Sequence, residues 1–271
     1  MIPLLCTVRG CGLPLESGGR TLRCANDHSF DRSRSGYANL LQPQDRRSDR
    51  PGDRREAVLA RRRLLEQGYA GALFEALVSA TASLGPAPRV LDVGCGEGSH
   101  LGRLASRLEI EGSGVDISAA AIDLAARRFP DVTWVVANAD RWLPYPDASF
   151  DLIASITARR NAPEFARVLS EGGRLFIAIP AADDLAELRL AVQGGSGERS
   201  RVETVTEEMR GHFEVASREG IRERRALERE ALVDLLHATY RGLRRGDRER
   251  VAALDRLDVT FAWDVMVFQR A

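Results

Sequence analysis

Lysine is missing altogether. All 39 basic residues of this 271-residue chain are arginines, and they balance 39 aspartates and glutamates to a net charge of zero. A preference so complete is the mark of GC-rich coding, so arginine abundance here is no signal of a nucleic-acid partner by itself. Long hydrophobic runs are also missing. No segment approaches the roughly 18 consecutive apolar residues that a membrane span needs, and Met1 to Leu5 is too short for a secretory leader. The chain therefore reads as cytoplasmic, with no membrane partner. Cysteine is scarce, at positions 6, 11, 24 and 95 only. Three of the four fall within the first 24 residues, which in a cytosolic protein points to a metal rather than to disulfides.

What is present is distributed unevenly. Residues 1–63 hold 13 arginines against 7 acids, a charge of +6 that the remainder cancels. A basic head on an acidic body is suited to face phosphate, although a solvated surface offset by Asp45, Asp49, Asp53 and Glu56 is the competing reading.

The texture divides the chain into three parts, 1–41, 42–84 and 85–271. The first has Gly10, Gly12, Pro14, Gly18, Gly19 and Gly36 between short apolar runs, a knuckle-and-turn module too small for a core of its own. Residues 42–55 are polar and read as a linker; a single helical stretch over 56–84 is expected to bury Ala57, Leu64, Leu65, Leu73 and Leu77. From residue 88 strand and helix patterns alternate, which implies an α/β domain of parallel strands joined by crossover helices. A loop at Gly194–Gly197, a helix-rich stretch at 222–257 and a closing strand, Val259 to Gln269, are expected after that.

The most telling local pattern is Val90-Leu91-Asp92-Val93-Gly94-Cys95-Gly96-Glu97-Gly98, a buried strand running into a glycine turn that opens a helix. Glycines there let the backbone approach a ligand where a Cβ would stand in the way. The next strand ends Gly114-Val115-Asp116-Ile117, 24 residues after Asp92, where an acid can accept both hydroxyls of a ribose. A third ends Ala137-Asn138-Ala139-Asp140. This series resembles a Rossmann-like class I methyltransferase. The resemblance implies S-adenosylmethionine as cofactor, held by Asp92, Gly94, Gly96, Gly98, Asp116, Ile117, Asn138 and Ala139, with Asn138 toward the adenine. Cys95 reads as a small packing residue.

At the N-terminus, Cys6-x4-Cys11 and Cys24-x3-His28 supply two pairs of ligands for a structural Zn2+ with every position filled. The x4 spacing lies at the wide edge of the usual range.

Beyond the last ligand come His28-Ser29-Phe30-Asp31 and Gly36-Tyr37-Ala38-Asn39-Leu40-Leu41, then Pro51-Gly52-Asp53, Glu56 and Ala60-Arg61-Arg62-Arg63-Leu64-Leu65. Together with the zinc pairs and the closing Phe268-Gln269-Arg270, this resembles the bacterial 23S rRNA guanine-N1-methyltransferases, which include tylosin-resistance enzymes. The resemblance implies methyl transfer to N1 of a guanine in a 23S rRNA hairpin loop, a zinc module that helps hold RNA, and a homodimer. Tyr37, Arg61 and Arg62 are the candidate RNA contacts, and no residue stands out as the base that removes the N1 proton. Three segments depart from the family pattern: Gly68-Tyr69-Ala70, Ile156-Thr157-Ala158-Arg159-Arg160 and Thr239-Tyr240-Arg241-Gly242. They keep open a methyltransferase of the same architecture acting on a small molecule or another RNA, and a cofactor- or RNA-binding homologue without turnover.

Overall fold

A computed structural model describes residues 2–45, 52–195, 199–239 and 245–271. Part of the polar linker (46–51), part of the glycine loop (196–198) and the divergent Tyr240-Arg241-Gly242 lie outside the described residues.

The N-terminal module is a three-stranded antiparallel sheet of β1 (Glu16–Gly18), β2 (Thr21–Arg23) and β3 (Ser29–Asp31). Its apolar side chains, Leu4, Leu22 and Phe30, do not close on themselves. They join Leu91, Val115, Val135 and Leu143 in one buried cluster, so the module shares its core with one face of the large sheet. The chain then adds β4 (Ala38–Asn39) in parallel to β7 (Thr133–Val136) at the edge of that sheet.

The large sheet has eight strands in the order β10-β11-β9-β8-β5-β6-β7-β4. β5 (Arg89–Val93), β6 (Glu111–Asp116), β7, β8 (Phe150–Ile156) and the end of β9 (Leu169–Pro180) run parallel and are largely buried because both faces are covered, β6 by way of its glycines and the others with mostly apolar side chains. On one face lie α1 (Arg55–Glu66), α2 (Gly71–Ala82), α3 (Ser99–Arg107), α4 (Ala119–Arg128), α6 (Ala186–Gln193) and α8 (Arg229–Thr239); on the other lie α5 (Ala162–Val168), α7 (Val202–Met209) and the N-terminal module. Strand order reverses at β5, with β6 on one side and β8 on the other, which opens a crevice at the carboxyl ends of the strands.

Two expectations change. The helical stretch is two helices, because Gly68 (φ 84°) and Ala70 (φ 64°) take left-handed conformations that end α1 and re-aim α2. The stretch 222–257 opens in a strand: β10 (Phe213–Glu228) pairs along its length with β11 (Arg256–Arg270), and only α8 and α9 (Arg245–Ala252) between them are helical. Most of β10 is exposed, with Phe213, Ile221 and Leu227 buried, so backbone pairing rather than an apolar stripe defines it.

Candidate cofactor site and metal centre

The glycine turn after β5 is folded around its neighbours at contact distance. Gly94 (φ 75°) donates its N–H to Val115 O at 2.8 Å, and a Cβ there would stand 2.5 Å from the Cβ of Ala158. Gly98 (φ 78°), the residue before α3, packs on the indole of Trp134, where a Cβ would sit 2.4 Å from the ring. Gly96 faces open space; the nearest atom to its would-be Cβ is Arg61 Nη1, at 4.0 Å. The turn therefore has no room for a side chain at Gly94 or Gly98, while Gly94 itself is exposed and Gly96 has space beside it, as a ligand cradle requires.

Acids surround that opening. Asp92, at the end of β5, is buried, and burial pushes its carboxyl up to about 7, with the charges of Asp116 and Glu97 adding to the shift. Asp116, at the end of β6, accepts Gly96 N–H at 3.0 Å and Ser118 N–H at 2.7 Å, which fixes the carboxylate beside the turn; Ile117 follows, half-buried. Burial raises Asp116 as well, although those two backbone donors oppose it. Glu97 Oε2 and His100 Nδ1 are buried without hydrogen-bond partners among the described residues, Arg128 standing 3.8 Å from Glu97. Burial lowers His100 to about 4, so its ring is neutral near pH 7. Unpartnered polar atoms beside an open glycine cradle fit a polar ligand such as S-adenosylmethionine. Burial also holds the Cys95 thiol protonated, in keeping with a packing role.

Asn138 first ties the protein to itself. Its Nδ2 donates to Asp45 O at 3.0 Å, and its Oδ1 accepts Asp140 N–H at 3.1 Å. Ala139 O accepts Asn161 Nδ2 at 3.2 Å. The third strand end is thus joined to the segment leaving the N-terminal module. Asp45, buried, meets Arg141 at 3.1 Å and Arg9 at 3.8 Å, while Arg141 Nη2 donates to Thr7 O at 2.7 Å. None of this network was legible in the sequence, since its members stand up to 134 residues apart.

The divergent end of β8 is an arch over the same crevice. Thr157 is left-handed (φ 53°) and donates its N–H to Ala178 O; Ala158 lies on Gly94. Arg160 pairs with Glu208 at 2.7 Å, and exposed Arg159 lies 3.3 Å from Asp140. Of the candidate RNA contacts, Arg62 pairs with Glu66 at 2.9 Å and Tyr37 is half-buried near Asp123 and Arg127 of α4. Arg61 reaches inward to the glycine turn.

In the N-terminal module the four expected ligands converge. Their ligand atoms lie within 4.8 Å of one another, with Cys6 Sγ 3.4 Å and Cys24 Sγ 3.5 Å from His28 Nδ1, and Cys11 Sγ 3.8 Å from Cys24 Sγ. A tetrahedral zinc, with bonds of about 2.3 Å to sulfur and 2.0 Å to nitrogen, sets its ligands about 3.5–3.8 Å apart. The wide x4 knuckle closes because Gly10 (φ 76°) and Gly12 (φ 63°) turn left-handed, letting Gly12 N–H reach Cys6 O. Asn26 Nδ2 donates to Cys11 Sγ at 3.5 Å, a support for the ligand from outside the set.

Residues 5–49 match the family described as RlmA, N-terminal, a zinc ribbon, and residues 90–175 match the Methyltransferase domain. The 23S rRNA (guanine(748)-N(1))-methyltransferase of Streptomyces fradiae is 36% identical over 226 residues, 82% of this chain and 80% of its own. The chain belongs to the 23S rRNA guanine-N1-methyltransferase family. A Bacillus subtilis strain 168 protein, provisionally named for the same reaction, is 37% identical over 202 residues, 71% of this chain and 70% of its own. In fold, the chain is similar to a provisionally described methyltransferase of Bacillus halodurans C-125, with a TM-score of 0.51 at 15% identity, over 72% of this chain and 97% of that one. The Rossmann-like sheet and the two groups expected from the sequence, S-adenosylmethionine and structural zinc, agree with these family matches.

Proposed function

We propose that the chain transfers a methyl group from S-adenosylmethionine to N1 of a guanine in a 23S rRNA hairpin loop. The observation that carries this reading is the 36% identity to the Streptomyces fradiae enzyme over 82% of this chain, together with the matches of the zinc ribbon and the methyltransferase domain. The structure supports it by joining those two parts through Asp45, Asn138 and Arg141, so that the ribbon stands beside the cofactor crevice. The cofactor supplies an activated methyl on its sulfonium. Asp92, Gly94, Gly96, Gly98, Asp116, Ile117, Asn138 and Ala139 hold it, and the chain's remaining work is to place a guanine in line and keep water out.

An unpaired loop is the kind of RNA in which a base can be turned out and its Watson–Crick edge reached. The arch at Thr157–Asn161 overhangs the crevice, and Arg159 offers an exposed guanidinium for a base plane or a phosphate. Tyr37 and Arg62 extend the RNA-facing side. Residues 1–41 serve as the zinc module, 42–84 as the connection and 85–271 as the methyltransferase domain. Two copies form the working unit in the cytoplasm; light scattering of the free protein reads that as twice 29.8 kDa. Among the described residues no helix is long and apolar enough to cross a membrane.

The test supplies purified protein and cofactor labelled in the methyl group to 23S rRNA from cells lacking this gene. Digestion to nucleosides is expected to give labelled 1-methylguanosine. Label in another nucleoside, or none in RNA, would refute the assignment.

A further inference from the structure

The connection between the two parts of the molecule reaches the cofactor crevice. Gly52 (φ 92°) presses on the turn after β6, where a Cβ would sit 2.5 Å from Ser118 Cβ. Asp53 follows, and its Oδ2 accepts Arg61 Nη2 at 2.9 Å. The same Nη2 donates to Ala238 O of α8 at 3.1 Å, which pins the guanidinium between α1 and the C-terminal helix. Its other end, Nη1, is the atom nearest the open side of Gly96.

This guanidinium stands among acids. Asp53 and Arg61 are both close enough to move the ionisation of Asp116, and Arg61 also acts on Glu97 and His100. The methionyl end of the cofactor carries an ammonium and a carboxylate. Acids around the turn suit the ammonium and the sulfonium but repel the carboxylate. A carboxylate needs donors, which an arginine fork and the first N–H groups of α3 provide. His100 Nδ1, on the first turn of α3, is buried without a partner among the described residues, and Arg61 is near enough to act on its ionisation.

We propose that Arg61 binds the carboxylate of the cofactor's methionyl end above Gly96, with Asp53 as the positioning residue that aims it. The proposal rests on the cofactor reading above. It turns Arg61 from an RNA contact into part of the cofactor site, and makes the connection at 52–61 a strap across it.

Calorimetric titration of the full chain separates this from a structural role. The ligands are S-adenosylmethionine and its decarboxylated analogue, which keeps the adenosine, sulfonium and amine. Arg61→Ala and Arg61→Gln are expected to weaken S-adenosylmethionine about 10- to 100-fold, the loss typical of a charged hydrogen bond, while the decarboxylated analogue changes by less than about 3-fold. Asp53→Asn shows the same selectivity with a smaller loss. Equal losses for both ligands would show that Arg61 only shapes the site, and unchanged affinity for S-adenosylmethionine would show that it does not bind it; either overturns the proposal. If the unaltered protein bound neither ligand, the cofactor reading itself would fail and this proposal with it. Circular dichroism confirms that the variants are folded.

Discussion

A carboxyl group sealed from water prefers to keep its proton. Asp92 is in that position, and its folded-state value of about 7 stands above the ordinary 3.8. Between those two values the folded chain binds more protons at this site than the unfolded chain. Its contribution to stability therefore falls as pH rises through that window and levels off above about 7. His100 runs the other way, its lowered value making stability rise with pH between about 4 and 6.5. A comparison of variants isolates the acid: Asp92→Asn should exceed the parent in unfolding free energy by an amount growing from near zero at pH 4 to about 2–4 kcal/mol at pH 7. Denaturant titration across that range measures the difference, and a flat difference would refute the argument. The same variant should bind S-adenosylmethionine more weakly, since a cationic ligand favours the ionised acid. A stability cost retained at a binding site is what selection for function produces.

At the level of elements, legibility followed the range of the forces involved. The glycine turn, the acid ending β6 and the two zinc knuckles declare themselves because each is a local pattern, with backbone conformation and ligand spacing set within a dozen residues. The x4 knuckle works through Gly10 and Gly12, whose left-handed freedom was visible as composition although its use was not. The break between α1 and α2 was missed because Gly68 alone costs a helix only about 1 kcal/mol and the left-handed Ala70 leaves no mark in the sequence. β10 was missed because its outward-facing residues are charged and its pairing with β11 is settled by backbone hydrogen bonds. The destination of Arg61 depends on Ala238, far along the chain.

The ribbon is the element whose energetics are easiest to test. Its apolar residues share a cluster with Leu91, Val115 and Val135, and Asp45 is buried against Arg141. Removing zinc should therefore loosen more than the ribbon. Chelation is expected to lower the melting temperature of the whole protein, with recovery when zinc is returned, and protease should cut first within residues 1–45. Arg141→Ala, which leaves Asp45 buried with its nearer cation gone, should cost about 1–3 kcal/mol in denaturant titration. A melting temperature indifferent to chelator would show that the four ligands hold no structural metal.

At the scale of the whole molecule, a sheet whose strand order reverses at β5 places the glycine turn, Asp92, Asp116 and Asn138 at the carboxyl ends of the strands, and other parts of the chain are arranged around that end. The ribbon closes the β7 edge through β4, the 52–61 strap crosses the β6 turn, and the arch after β8 bounds the other side. Formal neutrality conceals an excess of arginine in the first 63 residues, of which Arg61 stands beside the crevice. Phosphate contacts made there would give RNA affinity a steep dependence on salt. Of the segments at which this chain leaves the family pattern, the end of β8 touches the cofactor turn itself, Ala158 lying on Gly94.

Methylation at N1 removes a guanine's ability to pair and halts reverse transcriptase at that nucleotide. Primer extension across 23S rRNA from cells with and without the gene is the most direct test. Methylation by this chain predicts a gene-dependent stop at a guanine in a hairpin loop, lost when Asp116 is replaced by alanine. Identical extension patterns in the two strains would contradict it.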